Sequence, residues 1–242
     1  MNLLTIEARF DSKRLPGKVL KELDSIPIIK IIYDKSKNLK FVDKSIVATT
    51  KSKKDDILCK FLYKNKIPFF RGSEDDVWLR LRECCYKYKA DNLIKLTGDN
   101  PFIDHKIITE GFETFTEKSD VDILCVCDKR SIPIGLDFEI LKTEPFTQSY
   151  KLDRDNYDKE HATTFLKRFY KKFDFFPKKL ISKDLIKDIE LTIDTKQDFE
   201  FARKILNLSN SNIFNLGINE IYNLYKKFDL KHNSIRKWNK GL

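Results

Sequence analysis

Short β-rich runs and longer amphipathic runs take turns along the first hundred residues, and few folds accept that order. Strand-like runs fall at Leu3–Glu7, Ser45–Ala48, Ile67–Phe70 and Asn92–Leu96. Apolar residues with helical periodicity lie between them at Pro27–Lys37, Asp55–Asn65 and Glu74–Tyr88. A βαβαβαβ order predicts an α/β fold: a doubly wound, mostly parallel sheet with helices on both faces. Such sheets bind ligands outside the carboxyl ends of their strands, so the segments just after each strand are where chemistry is sought.

Beyond residue 120 the pattern loosens. Short strands are predicted at Asp122–Cys127 and Asp137–Leu141, and a helix at Asn156–Tyr170. We read 1–242 as a single domain in which 121–180 is an inserted subdomain. Ile189–Ile193 reads as a strand returning to the sheet. A helix follows over Lys196–Leu206, with Thr195 as its cap and Asp198 in its first turn. Ile218–Phe228 is a further amphipathic helix, and Lys231–Leu242 a basic surface end.

Composition narrows the class. Of 242 residues 41% are hydrophobic, enough for a sizeable core, and 7 Gly and 7 Pro are too few for a linker-like or collagen-like chain. A formal net charge of +10 favours anionic partners: nucleic acid, a membrane surface or phosphorylated small molecules. No apolar run has the roughly 18 residues of a membrane span, and Glu7 and Arg9 follow the first apolar stretch too closely for a secretory signal. The expectation is a cytoplasmic protein. All five cysteines, an odd number that includes the adjacent Cys84 and Cys85 and the C-x-C pair Cys125 and Cys127, read as buried thiols.

Three post-strand segments can carry chemistry. The loop Ala8–Lys18 packs Arg9, Lys13, Arg14 and Lys18 with Ser12 and a Pro16-Gly17 turn, which suits a polyphosphate cradle or a solvated basic loop. It is not a Walker loop, because Val19 stands where a magnesium-binding hydroxyl would be, and no G-x-G-x-x-G occurs. Leu96-Thr97-Gly98-Asp99-Asn100-Pro101 puts a carboxylate at a strand end, as a metal ligand or as the start of an Asx turn. Thr192-Ile193-Asp194-Thr195 offers a second such carboxylate, or merely a helix start. After the third strand Ser73 reads as a helix cap, leaving Arg71 free for function. The lone His161 beside Glu160 reads first as structural. No Ser/His/Asp order, H-E-x-x-H or Cys/His cluster is present, so hydrolytic triads and zinc chemistry find no support.

The stretches ARFDSKRLPGKVL, VATT at Val47–Thr50, FFRGSEDDV, LTGDNPFID, IPIGLDFEIL, YDKEHATTFL and LTIDTKQDFEFAR run in order from residue 8 to 203. Together they resemble the cytidylyltransferases that activate acidic sugars, in particular the branch of the spore coat polysaccharide biosynthesis protein F. Makers of CMP-ketodeoxyoctonate and CMP-sialic acid are relatives. The resemblance implies a Rossmann-like nucleotidyltransferase fold and transfer of CMP from CTP to an anionic acceptor with Mg2+, feeding a surface polysaccharide. It implies that Arg9, Ser12, Arg14 and Lys18 grip the triphosphate, with Thr49, Arg71 and Gly98 also at the nucleotide. Lys18, Arg9 and Asp99 would be catalytic and Asp99 with Asp194 would hold the metal. Gly135, Leu136, Asp137, Glu160 and His161 would face the acceptor, on a subdomain that also makes a homodimer. Two positions depart from the pattern: Asp11, where Gly is common, and Glu7, where an amide is common.

Alternatives are a phosphorylated acceptor giving a CDP-linked product, and a glycosyltransferase, for which Asp120-Val121-Asp122 has the metal-motif spacing but precedes a strand. A nucleic-acid-binding protein would also suit the charge, but the aromatic residues follow core periods. We therefore expect no nucleic acid and no membrane among the partners.

Overall fold

The computed structural model describes residues 1–126, 129–149, 155–160, 162–178 and 189–230. Four parallel strands carry the front half: β1 (Asn2–Glu7), β4 (Lys44–Thr50), β5 (Phe69–Gly72) and β6 (Asn92–Thr97). A two-strand hairpin, β2 (Glu22–Leu23) with β3 (Ile26–Pro27), follows the first loop. The segment after residue 120 adds β7 (Ile123–Cys125), β8 (Glu139–Lys142) and β9 (Lys172–Asp174). One sheet of order β5-β4-β1-β6-β8-β7-β9 results. Only β8 runs against its neighbours, pairing antiparallel with both β6 and β7. The doubly wound, mostly parallel sheet expected from the sequence is thus observed.

Both faces of the sheet are buried, which is why its strands read as near-continuous apolar runs. On one face Leu4 and Ile6 of β1, with Ala8 just beyond its end, join Val47, Ile94 and Leu96. They pack under α1 (Ile28–Ser36), α2 (Asp56–Lys64), α4 (His105–Glu117), α8 (Lys196–Ser209) and α9 (Ile218–Phe228). On the other face Leu3, Ile46 and Leu93 meet Trp78 and Leu81 of α3 (Val77–Tyr88) and Phe146 of α5 (Thr143–Gln148). Two short helices, α6 (Asn156–Glu160) and α7 (Ala162–Leu166), complete that layer, with Leu166 in its core.

Several expectations need correction. The hairpin and α4 were not foreseen. The predicted helix over 156–170 is two short ones, with a turn over 167–169. Ile189–Ile193 is not a strand: it makes a single parallel bridge, Ile134 to Glu190. Its amides serve two different partners, Leu191 N–H donating to Ile134 O (2.8 Å) and Ile193 N–H to Asp99 O (2.9 Å). Ser73 is not the cap of α3, since Asp76 accepts from Leu79 N–H at 2.8 Å while Ser73 Oγ accepts from Asp76 N–H. Thr195 caps α8 as expected, and Asp198 adds a reciprocal bond, its carboxylate accepting from Thr195 N–H. Cys59, Cys84, Cys85 and Cys125 are buried free thiols, and burial pushes Cys85 up to about 12. Cys127 and Lys231–Leu242 lie outside the described residues.

Lys35 of α1 is a cost written into this core. Its side chain is buried and donates only a long bond to Ile103 O (3.3 Å). Burial pushes its ammonium down to about 8, with Asp104 opposing. An unfolded Lys titrates near 10.4, so the unfolded chain holds more protons between those values and stability rises with pH across that window. Below pH 8 the penalty is present in full. Lys35→Met is expected to stabilise the protein by about 2 kcal/mol at pH 7, with a gain that shrinks toward pH 10. Thermal unfolding at both pH values checks this, and an unchanged or lower midpoint at pH 7 would contradict it.

Candidate active site

The carboxyl ends of β1 and β6, the first loop and the start of α8 surround a cleft of about 510 Å³, within the range of about 300–1,000 Å³ usual for small-molecule sites. Its shape begins with a turn. Lys18 N–H donates to Leu15 O at 3.1 Å, with Pro16 and Gly17 at the corner. Gly17 takes φ 67°, which proline followed by glycine satisfies at little cost. Ser12 and Gly17 N–H both donate to Phe10 O (3.0 Å each), closing the loop on itself. Arg9, Ser12, Lys13, Arg14 and Lys18 therefore all line one wall.

Lys18 is the hub. Its Nζ donates to Asp99 Oδ2 at 2.8 Å and to Asp194 Oδ1 at 2.6 Å, and Arg14 donates to Asp194 Oδ2 at 2.8 Å. Two carboxylates nearly a hundred residues apart in sequence thus converge on one cation, with side chains 13–23% exposed. Local chemistry explains how. Gly98 N–H donates to Glu7 O at 2.8 Å, and a Cβ on Gly98 would stand 2.8 Å from Ala8 Cβ, so only glycine lets the two strand tips close. Asp194 is held by Asp198, whose carboxylate accepts from both Asp194 N–H (2.9 Å) and Thr195 N–H (2.7 Å).

Two positioning features were missed in the sequence. Asp55, buried, accepts from Phe10 N–H (2.6 Å), Thr49 Oγ1 (3.0 Å) and Thr50 N–H (3.1 Å), tying the first loop to the end of β4. The helical run that begins at Asp55 gave no hint, because a buried acid is legible only from its donors. Lys54 pairs with Asp11 at 2.6 Å and holds that carboxyl below its usual range, so the extra negative charge of the loop is answered by its neighbour.

The α3 side of the cleft is lined by Glu7, Val77, Arg80 and Thr97. In register Glu7 faces Thr97, Thr5 faces Lys95, and Lys95 faces Glu139, so these side chains share one sheet face. Lys95 and Lys167 hold Glu139 well below the carboxylate range against its burial (2.8 and 2.7 Å). Burial pushes Glu7 up, opposed by Lys95 and Arg80.

Other expected site residues sit elsewhere. Thr49 is buried on Asp55 and Arg71 is not free: it donates to Thr50 O (2.8 Å) and Ser52 O (2.7 Å) and pairs with Asp56. Neither lines the cleft; both shape the turn beside it. Gly135, at φ 97°, lies against the backbone of Leu191 and Thr192. Asp137 accepts from Gly135 N–H (3.2 Å) and from Arg130 (2.9 Å). Leu136 is buried. The Glu160 side chain and His161 lie outside the described residues. Asp122 pairs with Lys142 outside the cleft.

Among the described residues no three His, Cys, Asp or Glu side chains form a metal cage. Asp99 and Asp194 nevertheless fit Mg2+, which is commonly held by one or two carboxylates and completed by substrate phosphates and water. Their convergence on a cation already present, Lys18, is the observation that supports the fit.

Residues 3–227 match the family model described as cytidylyltransferase. The spore coat polysaccharide biosynthesis protein SpsF of Bacillus subtilis is 29% identical over 210 residues, 84% of this chain and 85% of that one. A cytidylyltransferase structure from Leptospira borgpetersenii superposes with a TM-score of 0.85 at 26% identity, covering 97% of this chain and 98% of that one. CMP:2-keto-3-deoxy-manno-octonic acid synthetase, solved with CTP, gives 0.62 at 15% identity, over 85% and 98% of the two chains, a likeness of fold alone.

Proposed function

The chain belongs to the cytidylyltransferase family, and we propose that it transfers CMP from CTP to an acidic sugar or similar anionic acceptor, releasing pyrophosphate, in surface polysaccharide biosynthesis. The observation that carries this reading is Lys18 bridging Asp99 and Asp194 beneath an arginine-rich loop.

An acceptor oxygen attacks the α-phosphorus of CTP, the bond from that phosphorus to the β-phosphate oxygen breaks, and pyrophosphate leaves. Such transfers ask little of a protein beyond positioning and charge neutralisation. Arg9, exposed at the rim, and Arg14 and Lys18 take the triphosphate oxygens, while Ser12 offers a hydroxyl to them. Asp99 and Asp194 would hold Mg2+, which would supply charge neutralisation on the phosphates. Gly98 allows the nucleotide to lie close to the strand tips. Thr49 and Arg71 act on the nucleotide through the turn they brace.

The segment 121–180, with Gly135, Asp137, Glu160 and His161, serves the acceptor and joins two copies of the chain. Exposed Tyr157, Phe169 and Phe176 on it support a protein contact. Among the described residues no helix is long and apolar enough to cross a membrane.

The test is pyrophosphate release with each of the four nucleoside triphosphates, Mg2+ and a panel of acidic sugars and phospho-acids. Release with CTP and an acidic sugar is expected. No triphosphate consumed with any acceptor would overturn the proposal, and turnover only with phospho-acids would replace the acceptor class.

A further inference from the structure

The wall that carries the cationic grip also carries an acid of its own. Asp11 lines the cleft together with Arg9, Ser12, Lys13, Arg14 and Lys18. Arg14 and Lys18 are engaged by Asp194, whereas Arg9 and Lys13 flank Asp11 in the loop and both favour its charged form. Carboxylate and phosphate oxygens are alternative partners for the same Arg and Lys donors. A free carboxylate at this place would therefore compete with a triphosphate for the wall.

In the structure Asp11 is turned to a third cation. Its Oδ2 accepts from Lys54 Nζ at 2.6 Å, and the neighbouring backbone prepares that contact. Phe10 N–H donates to Asp55 Oδ1 at 2.6 Å, while Asp55 is itself buried on the end of β4, accepting from Thr49 Oγ1 and Thr50 N–H. The residue after Phe10 is thereby set beside the residue before Asp55. Ser12 N–H donates to Phe10 O at 3.0 Å, so the loop is tied on both sides of Asp11 and the choice of partner is left to its side chain. Glu74 is the other acid that favours the charge of Lys54. With side chains 51% and 63% exposed, the Asp11–Lys54 pair adds little to stability. Its consequence lies in what Asp11 is kept from holding.

We propose that Lys54 preserves nucleotide affinity by holding the Asp11 carboxylate away from Arg9 and Lys13, which leaves those cations to the triphosphate. Lys54 is thus a positioning residue that acts through Asp11 and does not itself take a phosphate. This rests on the reading of the cleft as a CTP site. Calorimetric titration of CTP with Mg2+ and without acceptor tests it, on the intact protein, Lys54→Met, Asp11→Asn and the double variant. Lys54→Met is expected to bind CTP about fivefold more weakly, because the released carboxylate turns to Arg9 and Lys13. In the Asp11→Asn background the same Lys54→Met change is expected to alter affinity by less than about twofold. An equal loss in both backgrounds, as direct phosphate contact or a merely structural role would give, would overturn the inference, and so would an unaltered affinity in Lys54→Met alone. Either result leaves the CTP site standing. Lys54→Gln repeats the comparison if Lys54→Met does not fold. Failure of the intact protein to bind any triphosphate would instead overturn the CTP reading itself, and this inference with it.

Discussion

Asp99→Asn and Asp194→Asn are each expected to lower nucleotidyl transfer by about 10³-fold or more while leaving the fold intact. Both side chains end at the cleft and their partner is Lys18, at 2.8 and 2.6 Å, so an isosteric amide keeps the packing and removes the charge. The effect is on transfer because both carboxylates are assigned to the metal beside the reacting phosphates. The backbone of Asp194 keeps its bonds to Asp198, and that of Asp99 still accepts from Ile193 N–H. Initial rates of pyrophosphate release, beside a thermal melt, check this. Full activity in either variant would remove that residue from the metal site.

Gly135→Ala is expected to cost about 3 kcal/mol or more of stability. A Cβ at this position would lie 2.5 Å from the backbone carbon of Leu191 and 2.5 Å from the nitrogen of Thr192, and φ is 97°. Neither neighbour is a flexible side-chain end, so relief requires the 191–192 backbone to move. That backbone leads directly to Asp194, so nucleotide affinity is expected to fall along with the melting temperature. Differential scanning calorimetry and CTP titration of the variant check both, and a wild-type melt would contradict the close approach.

The sheet was readable because parallel strands buried on both faces leave long apolar runs, as at Leu3–Glu7 and Asn92–Leu96, separated by amphipathic helices. Helix α4 was missed although Asp104 caps it and Ile107, Ile108, Gly111 and Phe115 form its inner stripe. Its glycine weakens the helical signal, yet the structure needs it there, since a Cβ would meet the Phe138 ring at 2.8 Å. The stretch 189–193 reads as a strand because three of its five residues are buried and apolar. Its partners are two loops, and periodicity cannot tell a loop partner from a strand partner. The basic loop and the two acids could be named from strand ends alone, but their convergence on Lys18 could not. Arg71 looked free because its acceptors, Thr50 O and Ser52 O, are backbone atoms, which leave no trace in a sequence. Asp55 was hidden for the same reason, being surrounded by donors rather than by a recognisable motif.

Lys18, Asp99 and Asp194 are proposed to meet around a metal-bound triphosphate. Crystals grown with CTP and Mn2+ in place of Mg2+, measured for anomalous scattering at the manganese edge, address this directly. A manganese peak is expected within coordination distance of both the Asp99 and Asp194 carboxylates, with the triphosphate against Lys18 and Arg14. A nucleotide bound with its metal elsewhere, or with its phosphates away from Lys18, would contradict it.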